Sequence, residues 1–371
     1  MIRMTRLRAI ARKEILQLRR DRRSLALAFV LPVLLVIIFA YGISWDVNDI
    51  RTVVVDQDAS ARSRALINAF QASGHFTMKS TAATADIDSW IDRGRAQLAL
   101  VIPPDFSNEL GSGTSQVQAV VDGSDANTAT IVLGYTRAVV EAYTRELLAQ
   151  AGAAPSPAVR VQTRVWYNEE LLSRNMIVPG LVAVIMMIIA AMLTSLTIAR
   201  EWERGTMEQL ASTPVRRGEV VLGKLLPYLA IGIIDVVIAS LLGVLLFDVP
   251  FRGNVALLMI ASALFLTGAL GLGMFISAAT RSQLLATQVA MVVTFLPAFL
   301  LSGFMYSVDV MPRGLQAVTF LIPARYFVVV TRGVFLKGVG VGVLHTQALM
   351  MIAFAALGLI LSIRAFRKEI A

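Results

Sequence analysis

MIVPGLVAVIMMIIAAMLTSLTIAREWERGTMEQLASTPVRRGEVVLGK, residues 176–224, decides how this chain is built. Its first part, 176–198, carries no charge, and a helix crossing a bilayer needs about 20 apolar residues in a row. Charge then crowds in at Arg200, Glu201, Glu203, Arg204, Glu208, Arg216 and Arg217 before the apolar run resumes at 220. An uncharged run ending in a dense band of charge reads as a span leaving the bilayer, a short wet connection, and a second span returning.

Working outward, the same pattern recurs at 25–43, 220–247, 255–279, 284–303 and 346–363, giving six predicted spans. Composition agrees: 56% of the 371 residues are hydrophobic and 16% are charged, where a soluble domain has about 25% charged. The first span follows RKEILQLRRDRR (12–23) and reads as an uncleaved signal anchor. Its basic leader is long, and the residues after Ala40 make a poor cleavage site.

The net charge of +9 raises nucleic acid as a partner, but position argues against it. Nine basic residues lie before residue 24 and three more (Arg364, Arg367, Lys368) in the last eight, all beside apolar runs. Such residues set orientation, so both termini are expected in the cytoplasm. The absence of cysteine excludes disulfides and thiolate chemistry. His75 and His345 have no ligand partner at useful spacing, and no histidine is placed to activate a serine. No metal site or catalytic constellation is expected.

Residues 45–175 hold 11 basic and 15 acidic residues, a net of −4, as suits the far side of the membrane. TVVVDQD, FTMKS, AQLALVIP, SQVQAVVDGSD and VRVQTRVWYN read as strands. SARSRALINAF, TADIDSWIDRGR, PPDFSNEL and ATIVLGYTRAVVEAYTRELLAQ read as helices, with AAPSP (153–157) a turn-rich link. One region resists the charge rule: 304–345, predicted outside, carries Arg313, Arg325, Arg332 and Lys337 against Asp309. Because it is semi-apolar, it reads as re-entrant or interfacial helices whose arginines reach the headgroups.

In the 199–224 connection, MEQLAS reads as a short helix ended before Pro214, with Thr206 as N-cap and Gln209 as its capping-box partner. Two readings stand: a helix docking a soluble partner, or a solvated loop. Asp235, deep in the third span, either takes an interhelical hydrogen bond or lines a conduit for cationic substrate. Met186, Met187 and Met192 read as packing or as an adaptable substrate surface. Gly268, Gly271 and Gly273 predict close helix packing. The pair Glu169-Glu170 reads as capping the second span. Gly218 to Lys224 matches G-x-x-x-x-G-K, but Leu225 replaces the Ser/Thr that would hold magnesium and no strand precedes it. It reads as a chance match.

AREWERGTMEQL followed by TPVRRGEVVLGKLLPY resembles the permease subunits of bacterial type-2 ABC exporters. RGRAQLALVIPPDFSNEL, VDGSDANTA, YNEELLSRNMIVPGLVA and LSGFMYSVDVMPRGLQAVTFLIPARYFVVVTRGVFLKGVG agree in order, so the likeness covers nearly the whole chain. It is nearest to multidrug-export-like members with a large periplasmic domain. The resemblance implies that the connection is a coupling loop docking on an ATPase subunit through Glu201, Glu203, Gly205, Thr206, Glu208 and Pro214. It also implies an interfacial helix carrying Leu7, Ile10, Ile15 and Leu18. Trp202 departs from the charged or small residue expected there and suits the headgroup level.

The resulting expectation is an α-helical integral membrane protein with six transmembrane helices and an inserted extracytoplasmic α/β domain. Its parts are an interfacial helix (1–24), a first span (25–43), the external domain (45–175) and a five-helix domain (176–371). The last includes the coupling loop 199–219 and the re-entrant or interfacial segment 304–345. It is expected to serve as the permease of an exporter of drugs or other amphiphiles in a bacterial inner membrane. Asp235, Met186 and Met187 are its candidate path residues. Expected partners are an ATP-binding cassette subunit that holds ATP and Mg, a second permease copy or homologue, the lipid membrane, and a periplasmic adaptor. An ion-coupled carrier and a membrane-anchored ligand sensor are the rival readings.

Overall fold

The computed structural model describes residues 3–42, 49–80, 87–110, 115–123, 126–150 and 172–366. Helices α1 (Met4–Arg20) and α2 (Arg22–Gly42) come first. Then follow β1 (Ile50–Asp56), α3 (Ala61–Ala72), β2 (Phe76–Ser80), α4 (Ile87–Asp92), β3 (Leu98–Ile102), α5 (Phe106–Leu110), β4 (Gln118–Val121) and α6 (Ala126–Gln150). The remainder is helical. It comprises α7 (Ser173–Glu203), α8 (Thr206–Ala211), α9 (Arg217–Leu245), α10 (Val255–Thr280), α11 (Gln283–Leu301), α12 (Arg313–Thr319), α13 (Pro323–Arg332) and α14 (Val341–Ala365). The chain divides into two compact units, residues 1–43 with 165–371, and residues 44–164.

In the first unit, α2, α7, α9, α10, α11 and α14 are long and apolar enough to cross a membrane. α12 and α13, with a π-helical extension to Lys337, form a pair bent by 81° that would make a seventh span if counted as one. α7 is the centre: residues 177–191 are buried without a break, and α2, α9, α10, α11 and α13 pack around it. The outer helices bury one face and expose large apolar residues on the other, such as Val30 and Ile38 on α2, Val292 on α11 and Ile352 on α14. In water such faces would aggregate, whereas acyl chains match them.

Lipid offers no hydrophobic drive between helices, so contact depends on how closely backbones approach. A Cβ on Gly273 would lie 2.1 Å from the Thr194 hydroxyl and 2.4 Å from the Ala191 carbonyl, seating α10 directly on α7. A Cβ on Gly271 would lie 2.6 Å from the backbone of Gly358, where α10 meets α14, and Gly268 faces the Phe354 ring. All three glycines read from the sequence are used for packing.

Two of the arginines of 304–345, Arg325 and Arg332, have local partners. Arg332 donates to the carbonyls of Met176 (3.2 Å), Gly303 (3.0 Å) and Phe304 (3.1 Å), joining α13 to the start of α7 and the end of α11. Arg325 donates to the Thr319 hydroxyl and lies over the Phe320 ring at 4.1 Å. Both arginines are used in local packing.

The second unit has a four-stranded sheet in the order β2-β1-β3-β4, parallel except for β4. Alternation along β1 and β3 sends Ile50, Val54, Leu98, Leu100 and Ile102 into one core with Leu66, Phe70 and Tyr143, so α3 and α6 cover that face. Val53, Val55, Ala99 and Val101 meet Ile87 and Trp90 of α4 in the other core. β3, covered on both faces, is buried at every residue. α3 starts at Ser60, whose hydroxyl accepts from the backbone N–H of Arg62 and Ser63. The readings of 153–157 as a link, 159–168 as a strand and Glu169-Glu170 as a cap lie outside the described residues.

Candidate coupling site

α7 runs past its apolar stretch to Glu203, and the chain turns at Gly205, whose φ of +68° suits glycine alone without strain. α8 begins at the next residue. Thr206 is therefore the first helical residue and not the N-cap read from the sequence: its hydroxyl donates backward to the Glu201 carbonyl at 3.4 Å. Gly205 holds the position ahead of α8 and has no side chain to cap it. Met207 is buried and anchors α8, while Glu208 is exposed.

Glu201 points inward, 4% exposed. Its Oε1 accepts from Lys224 Nζ of α9 at 2.9 Å and from Lys13 Nζ of α1 at 2.9 Å. Lys224 Nζ also donates to Glu14 Oε1 of α1 at 2.6 Å. Lys224 is 2% exposed and Glu14 3%. Two carboxylates and the Lys224 ammonium group, from three helices, thus pair out of water, where an unpaired charge would cost several kcal/mol, and half-exposed Lys13 adds a second cation at the rim. Glu201 Oε2 is buried and has no hydrogen-bond partner among the described residues.

The helices reach this geometry through small and apolar residues. A Cβ on Gly223 would lie 2.8 Å from Ile10, so glycine lets α1 lie directly on α9 one residue before Lys224. Leu7, Ile10, Glu14 and Leu18 form the buried stripe of α1. Ile15, read with Leu7, Ile10 and Leu18 as part of an interfacial helix, is 47% exposed, since helical spacing from Ile10 and Leu18 puts position 14 in the buried stripe. The stretch resembling a phosphate loop lies within α9, and its lysine is engaged by Glu14 and Glu201.

Further contacts surround the knot. Glu219 accepts from the Arg3 backbone N–H at 2.8 Å and the Arg216 backbone N–H at 3.0 Å, with Arg6 at 3.8 Å. Arg6 also donates to the Pro214 carbonyl. Arg200 donates to Asp21 at 3.0 Å. Glu203 accepts from the Gln283 backbone N–H at 2.7 Å and from its side-chain amide, joining α7 to α11. Trp202 lies under Arg281, 4.5 Å from its guanidinium carbon.

Of the residues singled out in the sequence, Glu201, Glu203, Gly205, Thr206, Glu208, Pro214, Leu7, Ile10 and Leu18 converge on this one end of the helical unit. Asp235, Met186 and Met187 do not. The antiparallel register set by Val178 against Gly243 and Glu201 against Lys224 places Asp235 level with residues near Met187, well along the helices. Met186 and Met187 are buried, and Asp235 Oδ2 is buried without a hydrogen-bond partner among the described residues. Lys13, Glu14, Glu219 and Lys224 were missed. The signal available for Glu14 was a carboxylate four residues on from Ile10 and four before Leu18, in the middle of an apolar stripe.

Against this geometry the likeness to known proteins can be set. The family model described as "ABC-2 family transporter protein" matches residues 22–364. The chain is 38% identical over 354 residues to the "Probable multidrug ABC transporter permease YbhS" of Escherichia coli (strain K12), covering 95% of this chain and 94% of that one. It is 32% identical over 338 residues to YbhR of the same organism, described by the same phrase, covering 90% of each. It is 27% identical over 327 residues to the "Inner membrane transport permease YhhJ", also of that organism, covering 85% of each.

Proposed function

This chain belongs to the ABC-2 transporter family and is the membrane subunit of an ABC exporter, and we propose that the knot of α1, α7, α8 and α9 couples it to its partner ATPase. The observation that carries this reading is the buried cluster of Glu14, Lys224 and Glu201, with Lys13 at its rim. α8 is joined to α7 through only Arg204 and Gly205, and the cluster ties the end of α7 to α1 and α9. A push on α8 then moves α1, α9 and the central helix as one body. In this reading Glu208 faces the ATPase, with Glu203, Gly205, Thr206 and Pro214 shaping that surface. Glu201 acts indirectly, by holding α1. ATP and Mg are held by the partner.

The rest of the reading follows from the orientation rule. The α1 end and both termini lie in the cytoplasm of a bacterium, the chain sits in the inner membrane, and the α/β unit is extracytoplasmic, gating the exit or docking a periplasmic adaptor. Two copies, or this chain with a homologue, enclose the path. The names of the relatives support drug-like amphiphiles as cargo. Asp235, Met186 and Met187 line the path once the helices part, and the unpartnered Asp235 Oδ2 supports contact with a cationic group.

The absence of cysteine makes the test direct, since Glu208→Cys introduces the single thiol of the chain. In membranes holding both subunits, a short bifunctional reagent should join that thiol to the ATPase, and ATP should change the yield. Gly134→Cys, on α6 in the α/β unit, should give no such product. Equal cross-linking from both positions, or none from position 208 in an active complex, would remove the coupling role of α8.

A further inference from the structure

One face of α1 lies outside the knot. Residues 9, 12, 13, 16, 17 and 20 recur at three- and four-residue spacing, so they share a stripe beside the buried one. This stripe, with the start of α2, the end of α7 and Gln283 of α11, lines a cleft of about 1110 Å³. Five cations line it, Arg12, Lys13, Arg20, Arg200 and Arg204, against one carboxylate, Asp21. Lys13 is paired with Glu201 and Arg200 with Asp21. Arg12, Arg20 and Arg204 have no ion-pair partner among the described residues, so the cleft keeps a positive charge.

Its other lining is apolar: Leu16 from α1, Leu27 from α2 and Leu196 from α7. Leu16 is 46% and Leu27 39% exposed, so these side chains still have surface to bury. The cleft is therefore amphipathic, cationic on one side and apolar on the other. It opens where the uncharged run of α2 begins at Leu25. A soluble anion would satisfy the arginines and leave the leucines in water. A lipid with an anionic headgroup satisfies both.

We propose that this cleft seats an anionic phospholipid, its phosphate between Arg12, Arg20 and Arg204 and its first acyl carbons along Leu16, Leu27 and Leu196. The lipid comes from the leaflet that α1 lies on, and it fills the gap between α1 and the ends of α7 and α11. This site does not depend on the coupling role proposed for α8.

The test uses the chain purified with its ATPase, by native mass spectrometry in detergent with phosphatidylglycerol, phosphatidylcholine or inorganic phosphate added. Wild type should retain phosphatidylglycerol at least about tenfold better than phosphatidylcholine, the scale set by a few basic residues near a lipid phosphate. The preference should fall to near unity in Arg12→Gln/Arg20→Gln/Arg204→Gln. It should also fall in Leu16→Glu, which keeps every arginine and covers the case in which the triple variant fails to assemble. Arg8→Gln/Arg19→Gln, on α1 but outside the cleft, should retain it. An unchanged preference in both cleft variants overturns the proposal, as does displacement of the lipid by inorganic phosphate. Loss of the ATPase from the triple variant with lipid retained would overturn it in favour of a protein-docking surface.

Discussion

The two ends of α7 are both held by cations, one buried and one partly buried, and by different chemistry. At the α1 end, Lys224 is neutralised by two carboxylates from two other helices. At the other end, Arg332 has three backbone carbonyls and no ion-pair partner among the described residues. An ion cluster is a joint commitment, because removing one member strands the others in a medium that cannot solvate them. Carbonyls carry only partial charge, so their cation can be altered with less consequence. The first end is thus tied together by charge, and the second is held by backbone contacts.

The largest expected effect is that of Lys224→Met. It leaves Glu14 and Glu201 buried without their shared cation and should cost about 3–5 kcal/mol, read as a lower unfolding temperature in detergent. Adding Glu14→Leu and Glu201→Leu should recover most of that loss, since apolar replacement of a whole buried cluster is close to neutral. If Lys224→Met unfolds like wild type, the cluster is hydrated and the contrast between the ends disappears. Arg332→Lys should rank second. It keeps the charge but loses the fork that reaches three carbonyls, a cost of about 1–3 kcal/mol in the same measurement. A loss equal to that of Lys224→Met would mean the two ends do not differ in kind. Lys13→Ala should be smallest, at most about 1 kcal/mol, because the Lys13 side chain is 53% exposed and Lys224 still pairs Glu201. A larger loss would show that Lys13 belongs to the buried cluster and not to its rim.

Much of the architecture was legible because it rests on composition over long windows. Runs such as 176–198 and 255–279 have no soluble reading, and the six spans follow from length and charge alone. Span ends were less legible. α14 starts at Val341 and not at 346, because His345 and Gln347 interrupt the apolar run without breaking the helix. The site was legible only as a neighbourhood. Charge density at 200–217 located the connection, but could not say that Glu201 turns inward while Glu208 faces out. That difference follows from where Gly205 reverses the chain, and α1 lies more than 180 residues away in sequence.

Hydrophobic runs and their flanking charges were enough for six candidate spans, the four described strands of the insert, and the use of Gly268, Gly271 and Gly273 in packing. Each is a local property, decided within one helix turn or one strand. The partnership of Glu14, Glu201 and Lys224, the placing of the arginines in 304–345 and the cleft beside α1 emerged only in three dimensions. A charged side chain declares its role through the group opposite it, and for Glu14, Glu201 and Lys224 that group is on another helix.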